Sequence, residues 1–205
     1  MTTDPLLKYR EQHKHRLNYM PWLYWSLKPK HREWAEQWQA EYQAYLMEME
    51  TIEIGKNCFI SPLAHIFAER GRKISIGDNT FIAADCTLHG PLQIGSEVAI
   101  NHHCILDGGR AGIKLHDQVR IAAYSHLYAF DHGMDLDRPI YQQAVTSKGI
   151  EIGRDVWLGA HVGIKDGVKI GHHAVVGMNS MVTKNIEDFA IVAGNPARLI
   201  RYRTE

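Results

Sequence analysis

A histidine-rich segment near the middle of the chain has the residue types that proton-transfer chemistry needs. It reads YSHLYAFDHGMD (residues 124–135), with His126 and His132 six positions apart and with Asp131 and Asp135 beside the second histidine. The ordinary pKa of imidazole, about 6.5, allows histidine to accept and return a proton near neutral pH. The chain has 13 histidines, so their placement matters more than their number.

Aliphatic residues recur every six positions through most of the chain, and this period predicts the scaffold that places those histidines. Neither an α-helix nor an ordinary strand has a period of six, whereas a β-helix forms one short strand and one corner from each hexad. Three hexads make an 18-residue coil with three faces. Counting in this way predicts six coils, which begin at Ile54, Ile76, Ile94, Leu115, Ile152 and Ile170.

Three breaks interrupt the period, and all of them follow the third hexad of a coil. The step of six grows to ten, nine and 25 residues, between Ile66 and Ile76, Leu106 and Leu115, and Leu127 and Ile152. We therefore expect the extra segments to leave the β-helix at the same corner. The last one adds 19 residues, roughly Gly133 to Glu151. A loop of this length in a regular scaffold is usually functional, with a tolerated surface insertion as the alternative.

The segment before the repeat has a different character. It is rich in tryptophan and charged residues, and HREWAEQWQAEYQAYLMEM (residues 31–49) has the aromatic spacing of an amphipathic helix. We expect it to cover the open end or the side of the β-helix, because unpaired strand edges need a cap; a role in substrate binding is the alternative. The predicted domains are residues 1–51 (helical segment), 52–190 (β-helix, with the loop at about 133–151) and 191–205 (C-terminal tail).

Composition excludes several classes of partner. Lysine plus arginine and aspartate plus glutamate both number 23, which gives no reason to expect nucleic acid or an anionic membrane as a partner. The sequence contains neither the apolar core of a signal peptide nor a run of about 18 apolar residues that would span a membrane. The three cysteines lack CxxC spacing, which favours buried thiols in a cytoplasmic protein.

Three motifs after the longest break resemble the hexapeptide-repeat acyltransferases, above all the maltose and galactoside O-acetyltransferases. They are IGRDVWLG (Ile152 to Gly159), VGMNSMVTK (Val176 to Lys184) and VAGNPARLIR (Val192 to Arg201). The resemblance covers about residues 52–201. It implies an all-β solenoid, specifically a left-handed parallel β-helix, in a homotrimer with active sites between subunits. It also implies acetyl-CoA as the acyl donor and a small-molecule acceptor.

The same resemblance assigns roles to individual residues. His132 would be the catalytic base, and Asn101 would help to position the acceptor or the catalytic site. Asp131 and Asp135 could orient the imidazole or bind acceptor hydroxyls, and Trp157 is expected beside the acceptor site or at the trimer interface. Donor binding is expected along the C-terminal coils, with the pantetheine arm of CoA at Gly159, Ala160 and Met178. The nucleotide end is expected at Thr183, Lys184, Arg198 and Arg201.

Several functions remain open at this stage. The leading hypothesis is acetyl transfer to a hydroxyl of a sugar or glycan precursor. The alternatives are N-acetylation of an amino sugar, acetylation of an antibiotic, and a non-enzymatic scaffold or binding subunit. A zinc enzyme of the γ-class carbonic anhydrase type is disfavoured: Gly171-His172 begins its pattern, but position 177, where a second histidine is required, is glycine. No metal is expected.

Overall fold

The structure is a computed structural model that describes residues 5–203. The repeat forms a parallel β-helix of six coils, preceded by a helical segment, and the predicted left-handed β-helix fold is confirmed. Each coil places one strand on each of three faces. The first face contains Ile52–Ile54, Ile74–Ile76, Leu92–Ile94, Ile113–Leu115, Ile150–Ile152 and Lys169–Ile170.

The other two faces follow the same order. The second face contains Phe59–Ile60, Phe81–Ile82, Ala99–Ile100, Arg120–Ile121, Trp157–Leu158, Val175–Val176 and Ala190–Ala193, and then Arg198–Tyr202, which pairs antiparallel with Ala190–Ala193. The third face contains His65–Phe67, Thr87–His89, Ile105–Asp107, His126–Tyr128, Gly163–Ile164 and Met181–Val182. We call the turns after the first, second and third faces the first, second and third corners.

The aliphatic residues of the repeat fill the interior. Ile60, Ile82 and Ile100 stack along the second face, and Leu88 and Leu106 lie on the third, all with no exposed surface. Burying one such side chain contributes about 1.5–3 kcal/mol, so the period of six provides much of the driving force for folding. All three breaks in the period lie at the third corner.

The first corner of every coil and the second corner of the second to sixth coils contain a non-glycine residue in the left-handed backbone region. At the second corner these residues are Asp85, His103, Tyr124, His161 and Asn179, with φ between 57° and 63°. Such values are uncommon outside glycine. Their regular repetition directs one side chain outward from each of these five coils in the same register.

The helical segment comprises α1 (Pro5–Tyr19), a 3₁₀ helix (Pro21–Ser26) and α2 (Pro29–Met49). Helix α2 closes the open end of the first coil. Gln39 accepts a hydrogen bond from Ile60 N (2.8 Å) and donates one to Ile60 O (3.1 Å), and Gln43 donates to Cys58 O (2.9 Å). These amides replace the coil that would otherwise precede this strand.

The rest of the helical segment covers the side of the β-helix. Leu17, Tyr24 and Ala35 pack with Phe59 and Phe81 of the second face to form a separate apolar cluster. None of the helices within residues 5–203 is long and apolar enough to cross a membrane. The predicted first and last domains include residues 1–4 and 204–205, which lie outside the described residues.

Candidate functional site

The second corner brings together four of the predicted site residues. Asn101 follows the second-face strand of the third coil, Gly159 and Ala160 follow that of the fifth, and Met178 lies in the sixth. Backbone hydrogen bonds keep successive coils in register there, such as Gly159 N to Val176 O (2.8 Å). Adjacent strands are about 4.8 Å apart, so these residues form one continuous edge.

Gly159 is required by the packing of the coils themselves. A Cβ atom at this position would lie 2.6 Å from Met178 N and 3.0 Å from Met178 Cα. No side chain fits there, because backbone atoms cannot move aside as a flexible side chain can. Met178 itself is 63% exposed, so its side chain projects from the edge that the bare backbone of Gly159 helps to form.

Asn101 is partly committed to its own turn. Its Nδ2 donates to Ile121 O at 2.9 Å, and its backbone N donates to the same oxygen at 3.0 Å. The second proton of Nδ2 has no described partner. The side chain is therefore fixed in orientation and retains hydrogen-bonding capacity at the corner.

A stack of rings at the second corner was not predicted from the sequence. The rings of His103 and Tyr124 lie 4.7 Å apart with an interplanar angle of 18°, and those of Tyr124 and His161 lie 4.9 Å apart at 4°. The coil spacing sets these distances, because each ring belongs to the left-handed corner residue of its coil. Comparing that one position across coils would have revealed the stack.

His132 lies elsewhere, at the third corner. It belongs to a short antiparallel hairpin, Asp131–His132 with Val145–Thr146, which projects from the corner. A 3₁₀ turn at Ile140–Gln142 lies within its loop. The imidazole is exposed, its ring centroid lies 6.2 Å from that of Phe130, and no hydrogen bond joins it to another residue within 5–203.

The two neighbouring aspartates bind other groups. Asp131 Oδ2 lies 3.1 Å from Lys165 Nζ. Gln143 makes two hydrogen bonds to the backbone of Asp135, at its N and its O, each 2.8 Å. Among residues 5–203, no hydrogen bond or ion pair joins the carboxylate of Asp131 or Asp135 to the His132 imidazole.

The base of the hairpin is firmly held. Ser147 Oγ donates to Ala129 O and accepts from the backbone N of Arg110 and Ala111, at 3.0 and 2.9 Å. Asp166, only 8% exposed, accepts from the backbone N of Lys148 and Gly149. His132 thus stands on a rigid support although it is exposed to solvent.

The predicted donor residue Gly159 and the predicted base His132 do not meet within the chain. Gly159 lies at the second corner and His132 beyond the third, so the whole third face separates them. Trp157 lies at neither corner. It belongs to the second face, where it is 55% exposed.

Three of the four residues predicted at the nucleotide end of the donor surround one cavity. Thr183, Lys184 and Arg198 line a cavity of about 320 Å³ at the C-terminal end of the β-helix. Arg201 belongs to the neighbouring strand Arg198–Tyr202, and its Nη1 donates to Tyr202 O at 3.0 Å. Within residues 5–203, no three His, Cys, Asp or Glu side chains form a cluster that could hold a metal ion.

Comparison with known proteins agrees with this architecture. Residues 149–184 match the family described as bacterial transferase hexapeptide (six repeats). A probable acetyltransferase of Mycobacterium tuberculosis is 32% identical over 66% of this chain and 44% of its own length. The galactoside O-acetyltransferase of Escherichia coli is 30% identical over 72% of this chain and 62% of its own length. The chain thus spans about half the length of these relatives.

A solved structure extends the match over most of both chains. A variant of AntD, an N-acyltransferase from Bacillus cereus in complex with dTDP and coenzyme A, is 31% identical with a TM-score of 0.70. The match covers 78% of this chain and 88% of AntD. The repeat, the six coils and these relatives together show that the chain belongs to the hexapeptide-repeat acyltransferase family.

Proposed function

We propose that the protein is a CoA-dependent acyltransferase that transfers an acetyl group from acetyl-CoA to a hydroxyl of a sugar or glycan precursor. The observation that carries this proposal is the layout of the second corner, where Asn101, Gly159 and Met178 share one edge, together with the Lys184 and Arg198 cavity at the C-terminal end of the same β-helix. The relatives that carry acetyltransferase names, together with the coenzyme A bound to AntD, support it.

The donor would lie along this edge. Lys184 and Arg198 supply positive charge for phosphate groups, and arginine adds a planar fork of donors. Thr183 and Arg201 lie beside them. With the nucleotide at the C-terminal end, the extended arm would run past Met178 and Ala160, and the thioester would face the fourth coil.

The base would come from a neighbouring protomer in a homotrimer. The hairpin loop exposes Met134 (76%), Leu136 (104%) and Tyr141 (81%). Exposed apolar side chains that cluster on one projection mark an interaction surface. In such a trimer, the second corner of one protomer would contact this loop of the next. His132 of the next protomer would then complete the site at that corner.

The chemistry follows from the imidazole. His132 would remove the proton from the acceptor hydroxyl as its oxygen attacks the thioester carbonyl. Collapse of the tetrahedral intermediate breaks the carbon–sulfur bond, and the imidazolium returns the proton to the departing CoA thiolate. Asn101 would help to orient the acceptor through the amide proton that its turn does not use.

N-acylation is the second candidate, because AntD is an N-acyltransferase. An amine acceptor needs the same loss of a proton, so His132 fits both reactions.

The three buried, unpaired cysteines, Cys58, Cys86 and Cys104, are compatible with the reducing cytoplasm, where we propose that the protein acts.

A thiol-release screen tests the proposal. Acetyl-CoA is supplied with sugars, nucleotide-linked sugars, amines and antibiotics, and free CoA is measured. We expect release with a saccharide and a loss of about 10²–10⁴ in kcat for His132→Ala. The matched control is His126→Ala, an exposed histidine of the third face. Full turnover by a trimeric His132→Ala enzyme would exclude the mechanism.

A further inference from the structure

The C-terminal end of α1 is fixed against the second corner, next to the coils that the proposed donor leaves free. Asn18, 9% exposed, accepts from Ala84 N through its backbone O (2.7 Å) and from Ser61 Oγ through its side chain (2.9 Å). Tyr19 OH donates to Asp85 Oδ2 at 3.0 Å. The helical segment therefore contributes a positioned side chain to this edge in addition to its capping role.

Tyr19 belongs to a group of three rings around the turn that contains Asn101. The ring of His102 lies between two tyrosines: 6.0 Å from that of Tyr19 at 63°, and 5.5 Å from that of Tyr124 at 89°. Tyr124 is 46% exposed. The result is a partly exposed cluster of three rings at the second corner of the third and fourth coils, made from two regions far apart in sequence.

His102 has hydrogen-bonding capacity that the fold does not use. Its Nδ1 is buried and has no hydrogen-bond partner among the described residues. Burial first, and then the nearby His103, lowers the pKa of His102, so the ring is neutral at pH 7. A buried N–H without an acceptor is rarer than an unmet acceptor, so the proton belongs on Nε2. No described contact engages that N–H.

The position of these three rings relative to the proposed donor gives them a role. Along the second corner, the predicted donor residues occupy the fifth and sixth coils, and Tyr19, His102 and Tyr124 follow on the second to fourth coils. We propose that these three residues form the acceptor-binding wall for an uncharged, hydroxylated ring such as a pyranose. The ring of Tyr19 packs against its C–H face, and His102 Nε2–H donates to one of its oxygens. Both faces of the Tyr124 ring are covered by His103 and His161, so Tyr124 borders the acceptor with its exposed edge.

This inference rests on the proposed function and is tested through the acceptor alone. Tyr19→Ala and His102→Leu are compared with wild type, using the saccharide that gives the most thiol release. Each substitution removes one contact, so we expect KM for the saccharide to rise about tenfold, with kcat within about threefold. The Kd of CoA, measured by calorimetry, stays within about twofold.

Two further variants separate binding from structure. His102→Gln retains a donor near the position of Nε2, so we expect it to recover most of the affinity that His102→Leu loses. Tyr9→Ala removes another exposed tyrosine of α1 (57%) and should leave KM unchanged. An unchanged saccharide KM in both Tyr19→Ala and His102→Leu would contradict the proposed acceptor-binding wall. It would not contradict the proposed acetyltransferase activity. No transfer to any saccharide, even by the wild type, would overturn both proposals.

Discussion

The second face of the β-helix has a covered half and a bare half. In the first three coils its outward residues are Phe59, Phe81 and Ala99, which the helical segment buries to 0%, 5% and 2% exposure. In the same register of the fourth and fifth coils, Arg120 and Trp157 are exposed. One strand position therefore serves as core in one half of the molecule and as surface in the other.

The two halves of the second face differ because the two ends of the β-helix are closed in different ways. The first coil has no preceding coil, so α2 supplies hydrogen bonds to its backbone, and the adjoining 3₁₀ helix lies on the side. The last parallel strand, Ala190–Ala193, already pairs with Arg198–Tyr202. The bare surface between these two closures includes the corner to which we assign donor binding. The covering contacts therefore lie on the first three coils, whereas the proposed donor residues Gly159, Ala160 and Met178 lie on the fifth and sixth.

We expect Phe59→Ala to destabilise the covered half of the second face. The side chain is fully buried, and its ring lies 5.4 Å from that of Tyr24 and 5.9 Å from that of Trp38. Truncating a buried phenylalanine leaves a cavity and costs about 3–5 kcal/mol. Urea denaturation measures the free energy of unfolding. A cost below about 1 kcal/mol would show that the helical segment is not packed on this face.

Gln39→Leu tests the cap of the first coil. The amide is 1% exposed and satisfies both polar groups of Ile60. Leucine has a similar volume but leaves those buried groups unpaired, so we expect a cost of about 1–3 kcal/mol. The matched control on the same helix is Gln37→Leu, where the exposed amide contacts only Glu41. Equal costs at both positions would contradict the capping role.

The repeat made part of this comparison predictable. Each aliphatic residue of a hexad stacks on the equivalent residue of the next coil, so the period predicts which strands are neighbours. The spacing of the breaks predicted that all insertions lie at the third corner. The amphipathic pattern around Trp34 and Trp38 likewise predicted helix α2.

The contacts that carry the further inference have no such pattern. Tyr19 contacts Asp85 across 66 residues, and its ring approaches that of His102. The aliphatic period marks none of these three side chains. The hairpin that carries His132 was equally hidden, because antiparallel pairing of two-residue strands gives almost no alternating signal. The separation of His132 from Gly159 required the three-dimensional path of the coils.

Trp157→Ala tests the bare half of the second face. Because the side chain is 55% exposed, its removal should change the free energy of unfolding of a protomer by less than about 0.5 kcal/mol. If the bare half meets a neighbour, the same substitution should weaken self-association, which sedimentation velocity measures. A large loss of protomer stability with unchanged assembly would contradict this assignment.

The smallest expected effect is a pH dependence that comes from the covered half and its border. Burial is the first cause that lowers the pKa of both His13, in α1, and His102, and a neighbouring histidine adds to it in each case. In the unfolded chain both pKa values return to about 6.5. Below that pH the unfolded state therefore binds more protons than the folded state.

Stability should accordingly fall as the pH decreases from about 6.5 through the lower folded pKa values, and should be insensitive to these groups above that window. Asp85 opposes the shift at His102, so we expect the change to be smaller than that of Gln39→Leu. Urea denaturation at pH 7.5 and 5.5 measures it for wild type, His13→Gln and His102→Gln. Glutamine does not titrate, so each variant should lose less stability on acidification than wild type does. If both variants kept the full wild-type dependence, neither histidine would be desolvated by the packing of the helical segment against the β-helix.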